Sequence, residues 1–253
     1  FPPDGSKLHL YVATSGDDGD DGLTPQTPRR TLQAAWRLLP RWVPASGVVI
    51  HIKKGQYRGG VLLADRSVDE GSFIEVVGSD DAWAPASRDQ VEILCDLTEP
   101  KSDYGIRVEN ASKVSLAHIS ISGGCTNGLL VTRNSWVDLL DVRSHHNDTG
   151  ASVNMYSNLI MESCQIDHNT ILGLFGNVHS MIKISFVTLD AQVTGIRMER
   201  NSFLECNRNS KSIVSNNTAV GVDLVFGSND YYCGPSDNAI TFTNNLTNYF
   251  RWY

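Results

Sequence analysis

The stretch that decides the fold runs from Gly105 to Thr194: 105-GIRVENASKVSLAHISISGGCTN-127, 128-GLLVTRNSWVDLLDVRSHHNDT-149, 150-GASVNMYSNLIMESCQIDHNTIL-172 and 173-GLFGNVHSMIKISFVTLDAQVT-194. Aligned on their leading glycines, and with Gly195 opening the next, these segments are 23, 22, 23 and 22 residues long. A fixed period of that size marks a repeat architecture. One residue after each glycine stand Ile106, Leu129, Ala151, Leu174 and Ile196. Seven after, every position is serine: Ser112, Ser135, Ser157, Ser180 and Ser202. Nine after come Val114, Val137, Leu159, Ile182 and Leu204; eleven after come Leu116, Leu139, Met161, Ile184 and Cys206.

Each repeat carries three short period-two runs separated by polar corners, and period two is the strand signal because successive side chains face opposite ways. Strands this short cannot close a core within one coil. Coils must therefore stack, strand on strand in parallel, about 4.8 Å apart. Parallel crossovers are right-handed. The pattern predicts an all-β, right-handed parallel β-helix of about eight to ten three-strand coils. The glycines mark a corner that needs positive φ or close backbone approach. The serines mark a corner where hydroxyls bond freed backbone groups. A sandwich would alternate without a fixed register of corners.

Upstream, residues 48–52, 61–63, 73–77 and 91–97 supply looser strands for the early coils; downstream, 221–226 reads as one more first strand. The stretch 231–253 loses the period and reads as an irregular closing segment. At the other end Leu8 to Val12 alternates as a strand, followed by the acidic loop Gly16–Gly22. Thr27 and Pro28 suit the N-cap and first position of a helix over 28–39. Its apolar face, Leu32, Ala35, Trp36 and Leu39, would lid the first coil. The expected divisions are 1–45 for strand, acidic loop and capping α-helix, 46–230 for the β-helix, and 231–253 for the closing segment. No cofactor is required. Asp17, Asp18 and Asp20 offer Ca²⁺ ligands, but the spacing lacks the EF-hand glutamate, and a plain turn is the simpler reading.

Bulk properties exclude several roles. The formal charge of −7 argues against a general grip on nucleic acid phosphates. No run of about 18 apolar residues is available to cross a membrane. The opening Phe1-Pro2-Pro3 has neither an initiator Met nor a basic-then-apolar leader, which reads as a processed chain or a fragment. Cys95, Cys125, Cys164, Cys206 and Cys233 are odd in number, scattered and without a C-x-x-C pair. They read as buried free thiols rather than a zinc site or a disulfide framework, suited to folding in a reducing cytosol. Cys164 and Cys206 fall on inward positions.

The N-terminal YVATSGDDGDDGLTPQTPRRTLQAAW, followed by GVVIHIKKGQY, resembles the opening of pectate-lyase-like β-helix proteins, and most of all the β-helix modules of bacteriophage tailspikes and tail fibres. The resemblance covers about the first 57 residues by motif and 105–210 by repeat. It implies a virion tail protein, folded in host cytoplasm, working as a homotrimer on a capsule or lipopolysaccharide. A non-catalytic adhesin or tail segment is the alternative, and an extracellular, secreted polysaccharide lyase a third. The paired-Asp pattern of polygalacturonases and the D-P-H motif of alginate epimerases are both absent. Fold alone does not name a reaction.

In that family the outward residues of the first strand and the corner before it line the glycan groove. Here the outward positions read Arg107/Glu109, Leu130/Thr132, Ser152/Asn154, Phe175/Asn177 and Arg197/Glu199, then Asp223; the corner adds His145, His146, Asp148, Asp167, His168 and Asp190. Stacking would set Asp223 about 5 Å from Arg197 and about 8 Å from Glu199, within the range for inverting glycoside hydrolysis. Asp167 and Asp190 share a register, about 5 Å apart, a retaining-type distance. Glu199, Asp223, Asp190 and Asp167 are thus the candidate catalytic carboxylates. Arg197, Phe175, His168, His146, Asn177 and Asn154 are the candidate glycan contacts, with Phe175 stacking on a ring. The plainer alternatives are an ion-pair ladder at Arg197, solvated aspartates, and a stacked ladder of His146 over His168.

Overall fold

Alternation at a period of 22 or 23 residues produces three parallel sheets wound about one apolar core. The computed structural model describes residues 2, 5–95, 103–207, 210–225, 227–231, 233 and 240–251. First strands, from Val61–Ala64 through Tyr104–Glu109 to Thr247–Arg251, form an eight-stranded sheet. Second strands form a nine-stranded sheet from Leu8–Val12 to Asn229–Tyr231, and third strands an eight-stranded one from Gly55–Arg58 to Ile240–Thr243. A small parallel ribbon joins Trp42–Val43 to Ser67–Val68.

The columns expected from the repeat stand in register. Val114, Val137, Leu159, Ile182 and Leu204 pair in succession, and all are fully buried. The serine column is interior from Ser135 onward, and it runs between coils: Ser135 N–H donates to Ser157 Oγ (3.2 Å), and Ser180 N–H to Ser202 Oγ (3.2 Å). At the opposite corner Asn147 N–H donates to Asn169 Oδ1 (3.1 Å), and Gln192 N–H to Asn217 Oδ1 (3.3 Å). These ladders satisfy backbone groups that the turns between strands leave unpaired. The glycine column serves close approach rather than positive φ. A Cβ on Gly150 would lie 2.7 Å from Gly173 O and 2.9 Å from Asn169 Nδ2.

Three expectations are corrected. The helix is shorter, Leu32–Arg37, and its N-cap is Thr31, whose Oγ1 accepts from Ala34 N–H (3.1 Å). Thr27 and Pro28 lie outside it because the neighbouring Arg29 is extended, bridging to Val12 with its N–H on Tyr11 O (2.8 Å). The expected apolar face holds: Leu32, Ala35, Trp36 and Leu39 are buried, and Trp36 Nε1 donates to Ala64 O (3.1 Å), fastening the lid. The first strand joins the solenoid, since Leu8–Val12 pairs with Val48–Lys53. The stretch 231–253 is not irregular where it is described: Ile240–Thr243 and Thr247–Arg251 continue the third and first sheets. The rest of that segment lies outside the described residues.

The third correction concerns sulfur. Cys95–Cys125 and Cys206–Cys233 are disulfides, with Cα separations of 5.6 Å and 5.2 Å. Each staples adjacent coils. Cys95 follows Val91–Leu94, and Cys125 follows the paired strand Ser120–Ser122. Cys206 is therefore not the free thiol expected. Cys164 is, buried, with its pKa pushed up to about 12 by that burial.

Two measurements test this architecture. Gly150→Ala must force the backbone apart or bend it, and is expected to cost about 1–3 kcal/mol in urea unfolding. An unchanged midpoint would mean that the coils have slack at the glycine column. Protein unfolded without reductant should titrate one thiol; five would refute the stapled coils.

Candidate functional site

The outer face of the first-strand sheet carries Arg107, Leu130, Ser152, Phe175, Arg197 and Asp223 as one continuous register column. Strand alternation gives this face its residues, and stacking brings together groups 22 to 26 positions apart. Near the C-terminal end Arg197 Nε donates to Glu199 Oε1 (2.7 Å) and lies 3.7 Å from Asp223 Oδ2. Asp223 has only 12% of its side chain exposed, and its Oδ1 is enclosed with no hydrogen-bond partner. Burial raises the Asp223 pKa; Arg197 opposes the rise and the charge of Glu199 adds to it. Phe175, half-buried, pairs with Arg197, and Asn154 with Asn177, whose Oδ1 is also enclosed and unpartnered. Six of the expected residues thus share one face. At its other end Arg107 and Arg133 clamp Glu109, so that carboxylate is already neutralised.

The remaining four expected residues sit elsewhere. Asp167 and Asp190 do share a register, but on the third-strand sheet. Asp167 is sealed, 1% exposed: Arg143 holds it with two bonds, Nε to Oδ1 (3.0 Å) and Nη2 to Oδ2 (2.8 Å). Burial alone would raise its pKa, yet Arg143 and His168 together hold it below the ordinary carboxylate value. An ionised carboxylate only accepts, so His168 Nδ1, 2.8 Å away, is the donor. Asp190 accepts from Ser215 Oγ (2.7 Å) and Asn216 Nδ2 (2.6 Å). The two aspartates therefore serve different partners. His146 stacks on His168 with ring centres 5.4 Å apart, above the Asn147–Asn169 ladder, as the plainer reading had it.

Arg143 is a determinant that the sequence reading missed. Its register partner is Gln165, so Asp167 stands one coil on and two residues along, a diagonal that column counting does not inspect. In the acidic loop the chain itself supplies donors to two of the aspartates. Asp18 accepts from Arg30 N–H (2.9 Å), Thr31 N–H (2.8 Å) and Thr31 Oγ1 (2.9 Å), and Asp17 from Gly19 N–H (2.8 Å). Among the described residues no three His, Cys, Asp or Glu side chains converge as a metal set.

Residues 94–246 match the family described as the right handed beta helix region. Among solved structures, pectate lyase Pel9A is similar with a TM-score of 0.57 at 15% identity, over 87% of this chain and 68% of that one. The GH136 lacto-N-biosidase from Eubacterium ramulus gives a TM-score of 0.57 at 11% identity, over 95% of this chain and 56% of that one. At such identities the likeness is one of fold. No curated protein matches the sequence.

The Arg143–Asp167 pair has a defined pH signature. A carboxyl whose folded pKa is depressed contributes stability above its unfolded value, about 3.9, and loses it as pH falls through the folded value. Asp167→Asn is expected to cost about 2 kcal/mol at pH 7. That gap should close below about pH 4, and a gap independent of pH would refute an ionised Asp167.

Proposed function

Because this chain belongs to the right-handed β-helix family, we propose that it binds a polysaccharide along its first-strand face and hydrolyses it at Glu199 and Asp223. The observation that carries the reading is Asp223: a largely buried carboxylate, raised in pKa, with one oxygen unpartnered, beside Glu199 and Arg197. A general acid needs a raised pKa, and burial pushes Asp223 in that direction. Glu199 is the matching base, and Arg197 positions both carboxylates. Phe175 packs on a sugar ring, while Asn154 and Asn177 offer amides to hydroxyls. The similar structures carry the names of a pectate lyase and a lacto-N-biosidase, which supports a carbohydrate ligand.

The two disulfides bear on where it acts. Cystines persist in oxidising compartments and are rare in a reducing cytosol. They favour the extracellular alternative over a tailspike folded in host cytoplasm. A homotrimer and a capsule or lipopolysaccharide target belong to the tailspike reading and stand or fall with it.

Reducing-end release from a panel of bacterial and plant polysaccharides tests the proposal. On the substrate cleaved, Asp223→Asn and Glu199→Gln should each lower turnover about 10²-fold or more, with the unfolding midpoint retained. Full activity in both variants would place the chemistry elsewhere. Absorbance of an unsaturated product near 235 nm would replace hydrolysis by a lyase reaction.

A further inference from the structure

We infer that Trp42 forms a subsite for a neutral pyranose ring, remote from the Arg197–Glu199–Asp223 cluster; this rests on the reading of the chain as a glycan-binding domain. Trp42 stands opposite Ser67 on the small parallel ribbon and is 61% exposed. One exposed apolar ring is ordinary on a protein surface. What sets this one apart is that it is anchored and surrounded. Its indole Nε1 donates to Asp69 Oδ1 at 2.7 Å, which fixes the orientation of the ring. Beside it lies a hollow of about 200 Å³ lined by Arg41, Trp42, Asp65, Ser67 and Asn110.

Those five side chains are the inventory that a sugar requires. A pyranose has an apolar C–H face that packs on an aromatic ring, and hydroxyls that both donate and accept. Asn110 Nδ2 donates to Asp65 Oδ1 (2.8 Å), holding the two planar groups together at the edge of the hollow. Asp65 can accept, Arg41 can donate, and Ser67 and Asn110 can do either. Arg41 and Arg66 balance Asp65 and Asp69 in charge, which favours a neutral ring over a uronate. The volume is below the ~300–1,000 Å³ of a drug-sized pocket, which suits a single ring.

Place in the fold separates this subsite from the catalytic cluster. Asp65 follows the first strand Val61–Ala64, whose Leu62 heads the register column through Arg107 to Asp223. That column spans six strand spacings of about 4.8 Å, about 29 Å in all. A ring held at Trp42 belongs to the same glycan as the scissile bond only when the chain is several sugars long. The subsite therefore contributes affinity at a distance from the reacting atoms.

The test uses ¹⁵N-labelled protein carrying Asp223→Asn, so that no probe is consumed. Cellohexaose, xylohexaose, mannohexaose and hexa-N-acetylchitohexaose are the neutral probes and hexagalacturonate the acidic one. At least one neutral probe should shift the Trp42 indole resonance, assigned with Trp42→Phe, and Trp42→Ala should weaken its binding about tenfold or more. Ser67→Ala, a smaller change, should weaken the same probe without altering the unfolding midpoint. Equal binding by Trp42→Ala and wild type overturns the inference. So does a Trp42 resonance that no neutral probe moves at 10 mM, or that only hexagalacturonate moves. Trp42-dependent binding by a wild type that cleaves nothing removes the hydrolase and leaves the subsite; cleavage with Trp42-independent binding does the reverse.

Discussion

Adjacent coils pass so closely at the glycine column that no side chain fits between them. A Cβ on Gly128 would lie 2.7 Å from Gly150 O, and one on Gly195 would lie 2.6 Å from Gly221 O. That approach holds each coil at one height and one rotation above the last. Register then follows everywhere else: the aliphatic columns meet their own kind, and Ser135 finds Ser157 at hydrogen-bonding distance. A slip by one residue would turn every apolar side chain outward, so the register is steeply specified.

The same stacking makes charge a problem on the outside, because like positions recur about every 4.8 Å. The molecule offsets this with complementary neighbours. Lys183 meets Glu205 at 2.8 Å, Arg143 takes Asp167, and Arg107 with Arg133 encloses Glu109. Asp223 is less completely offset. It shares Arg197 with Glu199, and its Oδ1 has no partner. An enclosed acceptor without a donor is costly, and Asn177 Oδ1 on the same face is in the same condition.

Ends and staples complete the solenoid. Trp36 and Leu39 cover the first coil, which would otherwise expose Leu10 and Leu63. The two cystines join neighbouring coils at separations of 30 and 27 residues, longer than one repeat. That departure from the 22-to-23 period hid them from a reading by columns.

The residues alone determined the coil, its three strands and the inward columns, because glycine, serine and aliphatic side chains recur at a spacing that only stacked strands can bury. They also placed Phe175, Arg197, Glu199 and Asp223 on one face, since alternation and register are both countable. Tertiary structure decided the rest. How Asp167 is held depends on Arg143, which approaches it along a diagonal between coils. Whether Cys206 is a thiol depends on where the next coil returns Cys233. Whether Thr27 or Thr31 caps the helix depends on Arg29 being drawn into an extended bridge with Val12. And Trp42 gains a meaning only because a ribbon of two residues sets it beside Asp65, Ser67 and Asn110. Local periodicity reports which side chains face in or out; the partner of an outward group is set by long-range contacts that no period encodes.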